Sequence, residues 1–239
     1  MHIDLCPTAD SVENFDLGSS TAIVIDVLRA TSCIVTALAQ GCKSVIPVYT
    51  PDDAFKLKRQ LTGNVILGGE RKSVKIPGFD LGNSPLEYLK TSLESKKLII
   101  TTTNGTKAIK NASSAKNLFV ASIINAKATA NRALILNQPT VLVCAGTKDK
   151  FSLDDILAAG LIVDELIGLS PSLKLTDLAL TAQSMYKNFA PSILAGLKKS
   201  FHGKELVAMG LEKDLVFCCQ ENKYSLIAEY LNKEISVVS

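Results

Sequence analysis

The chain has 239 residues, of which 47% are hydrophobic and 21% are charged, which is typical of a globular protein with a full core. Its formal net charge of +3 demands neither nucleic acid nor a membrane surface as a partner, and we expect neither. We find no signal-peptide pattern and no apolar run of about 18 residues that could span a bilayer. We therefore expect a cytoplasmic protein with one large domain or two small ones.

The cysteines predict buried thiols rather than disulfides or a zinc site. Most of them lie in apolar runs, no C-x-x-C pair is present, and the chain has only two histidines. This pattern is typical of reduced thiols in a cytoplasmic protein. We expect that Cys33 and Cys144, although close to the predicted site, are not nucleophiles, because an apolar setting disfavours a thiolate. The six cysteines are Cys6, Cys33, Cys42, Cys144, Cys218 and Cys219.

Short apolar runs rich in β-branched residues alternate with helical patterns over the first two thirds of the chain. Alternation at this spacing predicts βαβ units. We therefore expect an α/β fold with a mostly parallel sheet flanked by helices and a more helical C-terminal part. The runs that predict strands are 1–6, 22–25, 44–48, 65–67, 97–100, 118–122 and 140–144.

Beyond Pro171 the pattern changes. Residues 175–186 and 193–198 have a helical pattern, and the next expected strand is only at 215–219. We therefore divide the chain into an α/β domain over residues 1–168, which carries most of the site, and a mainly helical second domain or cover over residues 169–239.

Three helix starts carry the spacing of a capping box, in which a hydroxyl and an acidic side chain three residues later satisfy free backbone N–H groups. For the helix starts at Ser84 and Ser152, plain capping is an alternative to a role in the site, since a carboxylate is also stabilised at a helix N-terminus. The three pairs are Thr50 with Asp53, Ser84 with Glu87, and Ser152 with Asp155.

Asp26 and Arg29 lie where the predicted strand 22–25 gives way to a helix, which Thr31 or Ser32 is expected to cap. In open α/β sheets, ligands bind at the carboxyl ends of the strands. Asp26 and Arg29 are therefore candidates for a binding site. A structural ion pair between the two side chains is the alternative that this stretch leaves open.

Three further strand ends carry polar side chains, and the carboxyl ends of parallel strands share one edge of a sheet. We therefore expect these groups to meet Asp26 and Arg29. A loop at 76–87 adds a helix N-terminus, where free N–H groups can hold an anion. The added residues are Glu70 and Arg71 after strand 65–67, Asn83 and Ser84 in the loop, Asn104, Gly105 and Thr106 after strand 97–100, and Asp154 and Asp155 after strand 140–144.

Carboxylates that converge with hydroxyl, amide and guanidinium groups suit a hard cation together with a phosphate. Mg²⁺ prefers oxygen ligands and keeps several waters, and Arg binds phosphate through two parallel hydrogen bonds. The chain has no Walker A loop, no G-x-G-x-x-G fingerprint and no G-x-S-x-G elbow. The lack of a recognisable nucleophile favours metal-activated water over a covalent intermediate.

Five sequence blocks, in order over residues 20–165, resemble the 2-phosphosulfolactate phosphatase family. No single block decides the resemblance, but five in order are highly specific, and 203–206 and 210–214 add a looser similarity. The blocks are Val24 to Thr31, Gly69-Glu70, Gly78 to Pro85, Thr102 to Thr106, and Ala145-Gly146 with Phe151 to Asp155 and Ala159-Gly160.

The resemblance implies an α/β enzyme that uses Mg²⁺ to hydrolyse the phosphate monoester of 2-phospho-3-sulfolactate, or of a close small phosphorylated hydroxy acid, in coenzyme M biosynthesis. Such a substrate carries three anionic groups, for which Arg29, Arg71, Lys72 and Lys148 are natural counter-charges. This small anionic substrate is the partner we expect. A homo-oligomer is also possible, and the sequence does not decide the oligomeric state.

The predicted site is divided by role. The catalytic candidates are Asp26, Arg29 and Glu70. The metal-binding candidates are Asp26, Glu70, Asp154 and Asp155. The substrate-binding candidates are Arg29, Thr31, Ser32, Arg71, Asn83, Ser84, Asn104, Gly105 and Thr106.

Two other functions are weighed against the phosphatase. A non-catalytic module that binds a small phosphorylated or sulfonated anion gains nothing from acidic side chains beside its ligand, because like charges repel. A phosphotransferase with a nucleotide donor is weakened by the missing phosphate-binding glycine loop. The acidic residues therefore favour a metal-dependent enzyme.

Overall fold

A computed structural model describes residues 1–238 of the chain, in which eleven strands form one mixed sheet. The apolar runs found in the sequence form most of these strands. The strands are β1 (His2–Cys6), β2 (Thr21–Ile25), β3 (Ser44–Pro47), β4 (Val65–Arg71), β5 (Val74–Lys75), β6 (Lys97–Thr101), β7 (Asn117–Ala121), β8 (Thr140–Cys144), β9 (Lys174–Leu175), β10 (Ile227–Leu231) and β11 (Glu234–Val238).

Helices connect the strands in the first two thirds of the described chain, and four helices follow one another between β9 and β10. This arrangement confirms the predicted α/β class, with a mostly parallel sheet and a more helical C-terminal part. The helices are α1 (Ala30–Ala39), α2 (Pro51–Gln60), α3 (Pro85–Leu89), α4 (Gly105–Asn111), α5 (Ala126–Leu136), α6 (Leu153–Leu169), α7 (Asp177–Phe189), α8 (Ile193–Lys199), α9 (Phe201–Ala208) and α10 (Glu212–Cys218).

The sheet contains two parallel sets of strands, joined by the C-terminal hairpin β10–β11. Along the sheet the order is β5-β4-β6-β3-β11-β10-β7-β2-β8-β1-β9. The hairpin pairs antiparallel with β3 on one side and with β7 on the other. Three successive antiparallel pairs therefore separate the sets, so β3, β4 and β6 run opposite to β2, β7 and β8.

This reversal corrects the expectation that all the polar strand ends share one edge. The ends come from two oppositely directed sets, yet they meet: the backbone of Gly105, after β6, lies against the side chain of Asp26, after β2. Neighbouring strands are rotated by roughly 20–25° relative to one another. Accumulated over the strands between the sets, that twist turns their carboxyl ends toward each other.

The core covers both faces of the sheet. In β2, Ile23 and Ile25 pack in one apolar cluster with α5 and α6, while Ala22 and Val24 pack in a second cluster with α1 and α4. All five residues of β2 are buried. A strand buried on both faces has a continuous apolar sequence instead of an alternating one, which explains the run from Ala22 to Ile25.

One prediction for the C-terminal third is wrong, and one element was missed. Residues 215–219, expected to form a strand, lie in helix α10 and its C-cap, because a run of five apolar residues is equally compatible with a buried helical turn. The sequence analysis also missed the β10–β11 hairpin. The division into domains at 168 stays a prediction, although the hairpin from the later segment lies in the middle of the sheet.

Among the helices of residues 1–238, none is both long enough and apolar enough to cross a membrane.

Candidate active site

A cavity of about 580 Å³ opens where the two sets of strand ends meet. Its walls come from the β2–α1 connection, the β4–β5 turn, the β6–α4 turn, the β8–α6 loop and helix α9. A pocket of this size with converging polar groups is the usual form of a small-molecule site. The lining residues are Arg29, Glu70, Lys72, Ser73, Asn83, Thr103, Asn104, Thr147, Lys148, His202, Glu205, Ala208 and Met209.

The start of α1 is organised by Asp26 itself. Its Oδ1 accepts a hydrogen bond from the N–H of Ala30 at 3.2 Å, and its backbone exchanges hydrogen bonds with the Thr31 hydroxyl at 3.1 and 2.8 Å. The prediction that Thr31 or Ser32 caps α1 is therefore wrong, because the structure shows no side-chain cap from either of them. Asp26 Oδ2 accepts no hydrogen bond within the described chain.

The hydroxyls of Thr31 and Ser32 are engaged inside the protein. Ser32 donates to the carbonyl of Val27 at 2.7 Å and lies 2.7 Å from the hydroxyl of Ser122. Both side chains are fully buried and neither lines the cavity. Their assignment to substrate binding stays a prediction, and the contacts give them a part in holding the β2–α1 connection.

Arg29 does not pair with Asp26, as the structural alternative supposed, but with Asp214. One Nη of Arg29 lies 2.6 Å from Asp214 Oδ2, and both side chains are buried. The other Nη approaches the carbonyl of Ser73 at 3.5 Å, and Nε is buried without a partner in the described structure. The guanidinium therefore keeps donors available at the cavity wall.

Ser84 binds the same aspartate. Its hydroxyl donates to Asp214 Oδ1 at 2.6 Å, and Glu87 accepts from the N–H of Gly82 at 2.8 Å. The predicted capping box between Ser84 and Glu87 is therefore wrong, because each side chain has another partner. The capping box predicted at Thr50 and Asp53 is confirmed.

Buried carboxylates form the electrostatic centre of the site. Burial, reinforced by the charges of Asp154 and Glu70, raises the pKa of Asp26 to about 7, against the opposing effects of the Ala30 N–H and the Arg29 charge. Asp26, Glu70 and Asp154 are 7%, 6% and 2% exposed. Buried carboxylates whose charges act on one another repel, and a cation bound beside them would offset that repulsion.

Glu70 and Asp154 are held in place by neighbouring loops. Glu70 Oε1 accepts from the N–H and the hydroxyl of Thr103 at 2.8 and 2.9 Å, and Oε2 accepts from the N–H of Ser73 at 2.7 Å. Asp154 Oδ1 accepts from the Ser152 hydroxyl at 2.5 Å. Asp154 Oδ2, like Asp26 Oδ2, accepts no hydrogen bond within residues 1–238.

Asp155 ties two strand ends together. Its two oxygens accept from the N–H of Val27, after β2, at 3.0 Å and from the N–H of Gly146, after β8, at 2.9 Å. The capping box predicted from its spacing to Ser152 is therefore wrong. Burial and the charges of Asp154 and Asp26 raise its pKa well above the usual range. Metal binding by Asp155 stays a prediction.

The donor set fits Mg²⁺. No three acidic, histidine or cysteine side chains of residues 1–238 are grouped closely enough to hold a metal by themselves. Mg²⁺, however, usually binds through one or two carboxylates, and waters and substrate phosphate oxygens complete its octahedron. Asp26 and Asp154 each have one carboxylate oxygen that accepts no hydrogen bond within residues 1–238, and such oxygens are ligands of the kind that Mg²⁺ prefers.

Arg71 lies away from the main cavity. It donates to the carbonyls of Glu70 and Tyr49 at 2.7 and 2.8 Å and to the Thr101 hydroxyl at 2.9 Å. Together with Thr106 it lines a second, smaller cavity of about 310 Å³, which shares Thr103 with the first. Substrate binding by Arg71 and Thr106 stays a prediction, but the structure does not place either side chain beside Arg29.

The β6–α4 turn approaches Asp26 closely, which explains the glycine in it. A Cβ on Gly105 would lie 2.5 Å from Ala30 Cβ and 2.6 Å from Asp26 Oδ2. Asn104, which precedes it, lines the cavity. On the opposite wall, Asn83 is 6% exposed, and its Oδ1 is buried without a partner in the described structure, as is expected of a group that awaits a ligand.

Helix α9 contributes cavity residues that sequence reasoning missed. His202 and Glu205 in the helix and Met209 at its C-cap line the cavity. Burial lowers the pKa of His202, while the charges of Asp154, Glu205 and Glu70 act in the opposite direction. The only signal in the sequence was the weak family similarity at 203–206, because a single histidine in a helical segment is more often structural.

Two lysines expected as counter-charges do line the cavity. Lys72 lies in the β4–β5 turn and Lys148 in the β8–α6 loop. Lys148 pairs with Glu205 at 3.4 Å and lies over the ring of Phe201 at 4.7 Å. Both lysines are exposed, so they place positive charge at the cavity mouth.

We expect turnover to survive replacement of Cys33 or Cys144 by Ala. Burial raises the pKa of both thiols well above the usual range, so neither is a thiolate at neutral pH. The measurement is kcat per folded molecule, with Cys219→Ala as the partly exposed control. Covalent phosphate on either sulfur, or loss of turnover in a folded variant, would contradict this expectation.

Comparison with known proteins assigns the chain to a family. The family profile described as 2-phosphosulpholactate phosphatase matches residues 6–233. The chain belongs to the 2-phosphosulfolactate phosphatase family. Three relatives bear the name "Probable 2-phosphosulfolactate phosphatase". They come from Clostridium acetobutylicum (43% identity, 98% of this chain and 100% of the relative), Caldicellulosiruptor saccharolyticus (45%, 93% and 93%) and Clostridium kluyveri (40%, 97% and 96%).

Membership in this family confirms the resemblance found in the five sequence blocks. It also places the chain among the phosphoric monoester hydrolases, as predicted. The family therefore favours the phosphatase over the alternative, a non-catalytic binding module. The match extends to residue 233 and therefore includes α9, which carries the cavity residues His202 and Glu205, and α10, which carries Asp214.

Proposed function

We propose that this phosphatase hydrolyses 2-phospho-3-sulfolactate to sulfolactate and phosphate with the help of Mg²⁺. The observation that carries the proposal is that a buried acidic centre, formed by Asp26, Glu70 and Asp154, lies beside the guanidinium of Arg29, which lines the same cavity as Glu70. Acids to hold a cation and an arginine to hold a phosphate are the two requirements of metal-assisted phosphate ester hydrolysis. The names of the relatives support the choice of substrate.

The substrate is held at both ends in this proposal. Arg29 receives the phosphate, because its free Nε–H and Nη–H groups form the planar fork that matches phosphate oxygens. Lys72 and Lys148, at the mouth, neutralise the sulfonate and carboxylate. Asn83 and Asn104 offer amide groups between the two ends. The cavity thus provides positive charge where a substrate with three anionic groups needs it.

Asp26 and Asp154 would hold Mg²⁺ through their free oxygens. A bound Mg²⁺ offsets the charge on the phosphoryl oxygens and favours the attack of water. Glu70 keeps the Ser73 and Thr103 backbone at the cavity wall through its three hydrogen bonds. Family membership and the buried state of Cys33 and Cys144 both accord with hydrolysis that needs no thiol nucleophile.

We expect phosphate release to stop in EDTA and to return when Mg²⁺ or Mn²⁺ is added. The reason is that oxygen-rich donors prefer these hard cations. The measurement is the rate of phosphate release from 2-phospho-3-sulfolactate by protein whose metal content is verified by mass spectrometry. Zn²⁺ serves as the comparison, and an apoprotein that retains full turnover would contradict the requirement for a metal.

A further inference from the structure

One buried aspartate from the C-terminal helices contacts two residues of the predicted site. Asp214 lies on α10 and is 2% exposed. Its Oδ2 binds an Nη of Arg29 and its Oδ1 binds the Ser84 hydroxyl, both at 2.6 Å. Each carboxylate oxygen is thus directed at a group beside the cavity.

We propose that Asp214 is a positioning residue that sets the orientation of the Arg29 guanidinium for phosphate binding. An arginine side chain has many rotamers, and a planar fork recognises phosphate only when it faces the anion. The Asp214 carboxylate occupies one Nη group, which leaves Nε without a partner in the described structure. The Ser84 hydroxyl, in turn, fixes the carboxylate that holds the guanidinium.

Burial strengthens the argument. A buried ion pair is often no more stabilising than apolar residues of the same volume, since both charges lose their hydration. Arg29 and Asp214 are 3% and 2% exposed, so stability alone does not explain a buried ion pair at this place. Orientation of a substrate-binding cation does explain it, and it makes α10 part of the active site.

The test measures the inhibition constant of inorganic phosphate, together with KM and kcat, for Asp214→Asn and Asp214→Glu. We expect the inhibition constant and KM to rise roughly ten- to hundredfold, the size of one lost charge-assisted hydrogen bond. Asp214→Glu keeps the charge but moves the carboxylate by one methylene, so it decides the matter if Asp214→Asn does not fold. Glu212→Gln, an exposed charge change on the same helix, is the matched control.

A double-mutant cycle with Arg29→Lys separates positioning from a purely structural role. If Asp214 acts through Arg29, its replacement adds little once the fork is gone, so the two effects on phosphate binding are strongly non-additive. Wild-type inhibition constants in both folded Asp214 variants, or additive effects in the cycle, would overturn the proposal.

This inference rests on the proposed function, and the two can fail separately. Calorimetry with inorganic phosphate measures the anion site directly, without turnover. A wild-type protein that binds phosphate but does not hydrolyse 2-phospho-3-sulfolactate would overturn the proposed reaction, while the comparison between wild type and Asp214 variants would still decide the positioning role.

Discussion

Replacement of Asp26 by Asn is expected to lower kcat by orders of magnitude without lowering the melting temperature. Asn keeps the size of the side chain and an oxygen for the Ala30 N–H, but it removes the charge that holds the cation. Metal stabilisation of a phosphoryl group is worth several kcal/mol, so its loss is large. Metal titration and steady-state kinetics measure both parts of the effect.

The stability of this variant gives a second, independent test. Since the pKa of Asp26 is raised to about 7, mainly by burial, the folded state binds a proton more tightly than the unfolded state does, and the ionised group opposes folding at higher pH. Removing the charge therefore leaves the melting temperature at pH 8 unchanged or raises it. Asp52→Asn, at an exposed position of α2, is the control.

A purely structural Asp26 predicts the reverse pattern. In that case Asp26→Asn would melt at a lower temperature and would show nearly normal kinetics per folded molecule. Wild-type turnover in the folded variant would remove the central residue of the proposed site.

The second large effect is expected for Arg29→Lys, with an increase in KM and a decrease in kcat/KM. Lysine keeps the positive charge, which can still pair with Asp214, but it lacks the planar fork for phosphate. The affinity for Mg²⁺ should change little, since Arg29 is not a metal ligand. The two single variants therefore fail differently, one in metal binding and the other in substrate binding.

Arg59→Lys, at an exposed position of α2, is the matched control for this substitution. Equal losses of metal affinity in Arg29→Lys and Asp26→Asn would contradict separate roles. A variant that is folded and kinetically normal would contradict phosphate binding by Arg29.

The strands of the first two thirds of the chain were predictable, because the short apolar runs there form strands; the run at 215–219, which forms a helix, shows the limit of that rule. The hairpin between β10 and β11 was missed for a conformational reason. Its turn residues, Asn232 and Lys233, both have positive φ, at 52° and 67°. Two-residue hairpin turns of this kind are usually recognised in a sequence by Asn-Gly or Asp-Gly. Here a lysine occupies the second turn position, so the sequence lacks that pattern.

Site residues that directly follow a strand were predictable from the sequence. Site residues that depend on contacts between distant parts of the chain were not. Asp26, Arg29 and Glu70 all follow apolar runs; Arg29 and Glu70 line one cavity, and Asp26 is buried close enough to both for their charges to act on it. Asp214 lies 185 positions from its partner Arg29, so no local pattern could link the two. For Asp155 the local pattern was misleading: its position at a helix start suggests capping, whereas in the fold its carboxylate joins the ends of β2 and β8.

The most direct test of the account is a crystal structure of the protein with Mn²⁺ and inorganic phosphate. Anomalous scattering locates Mn²⁺, which replaces Mg²⁺ at oxygen sites. We predict a peak within coordination distance of Asp26 and Asp154, with phosphate between the metal and the guanidinium of Arg29. A metal peak away from Asp26, or phosphate that binds outside this cavity, would contradict the account.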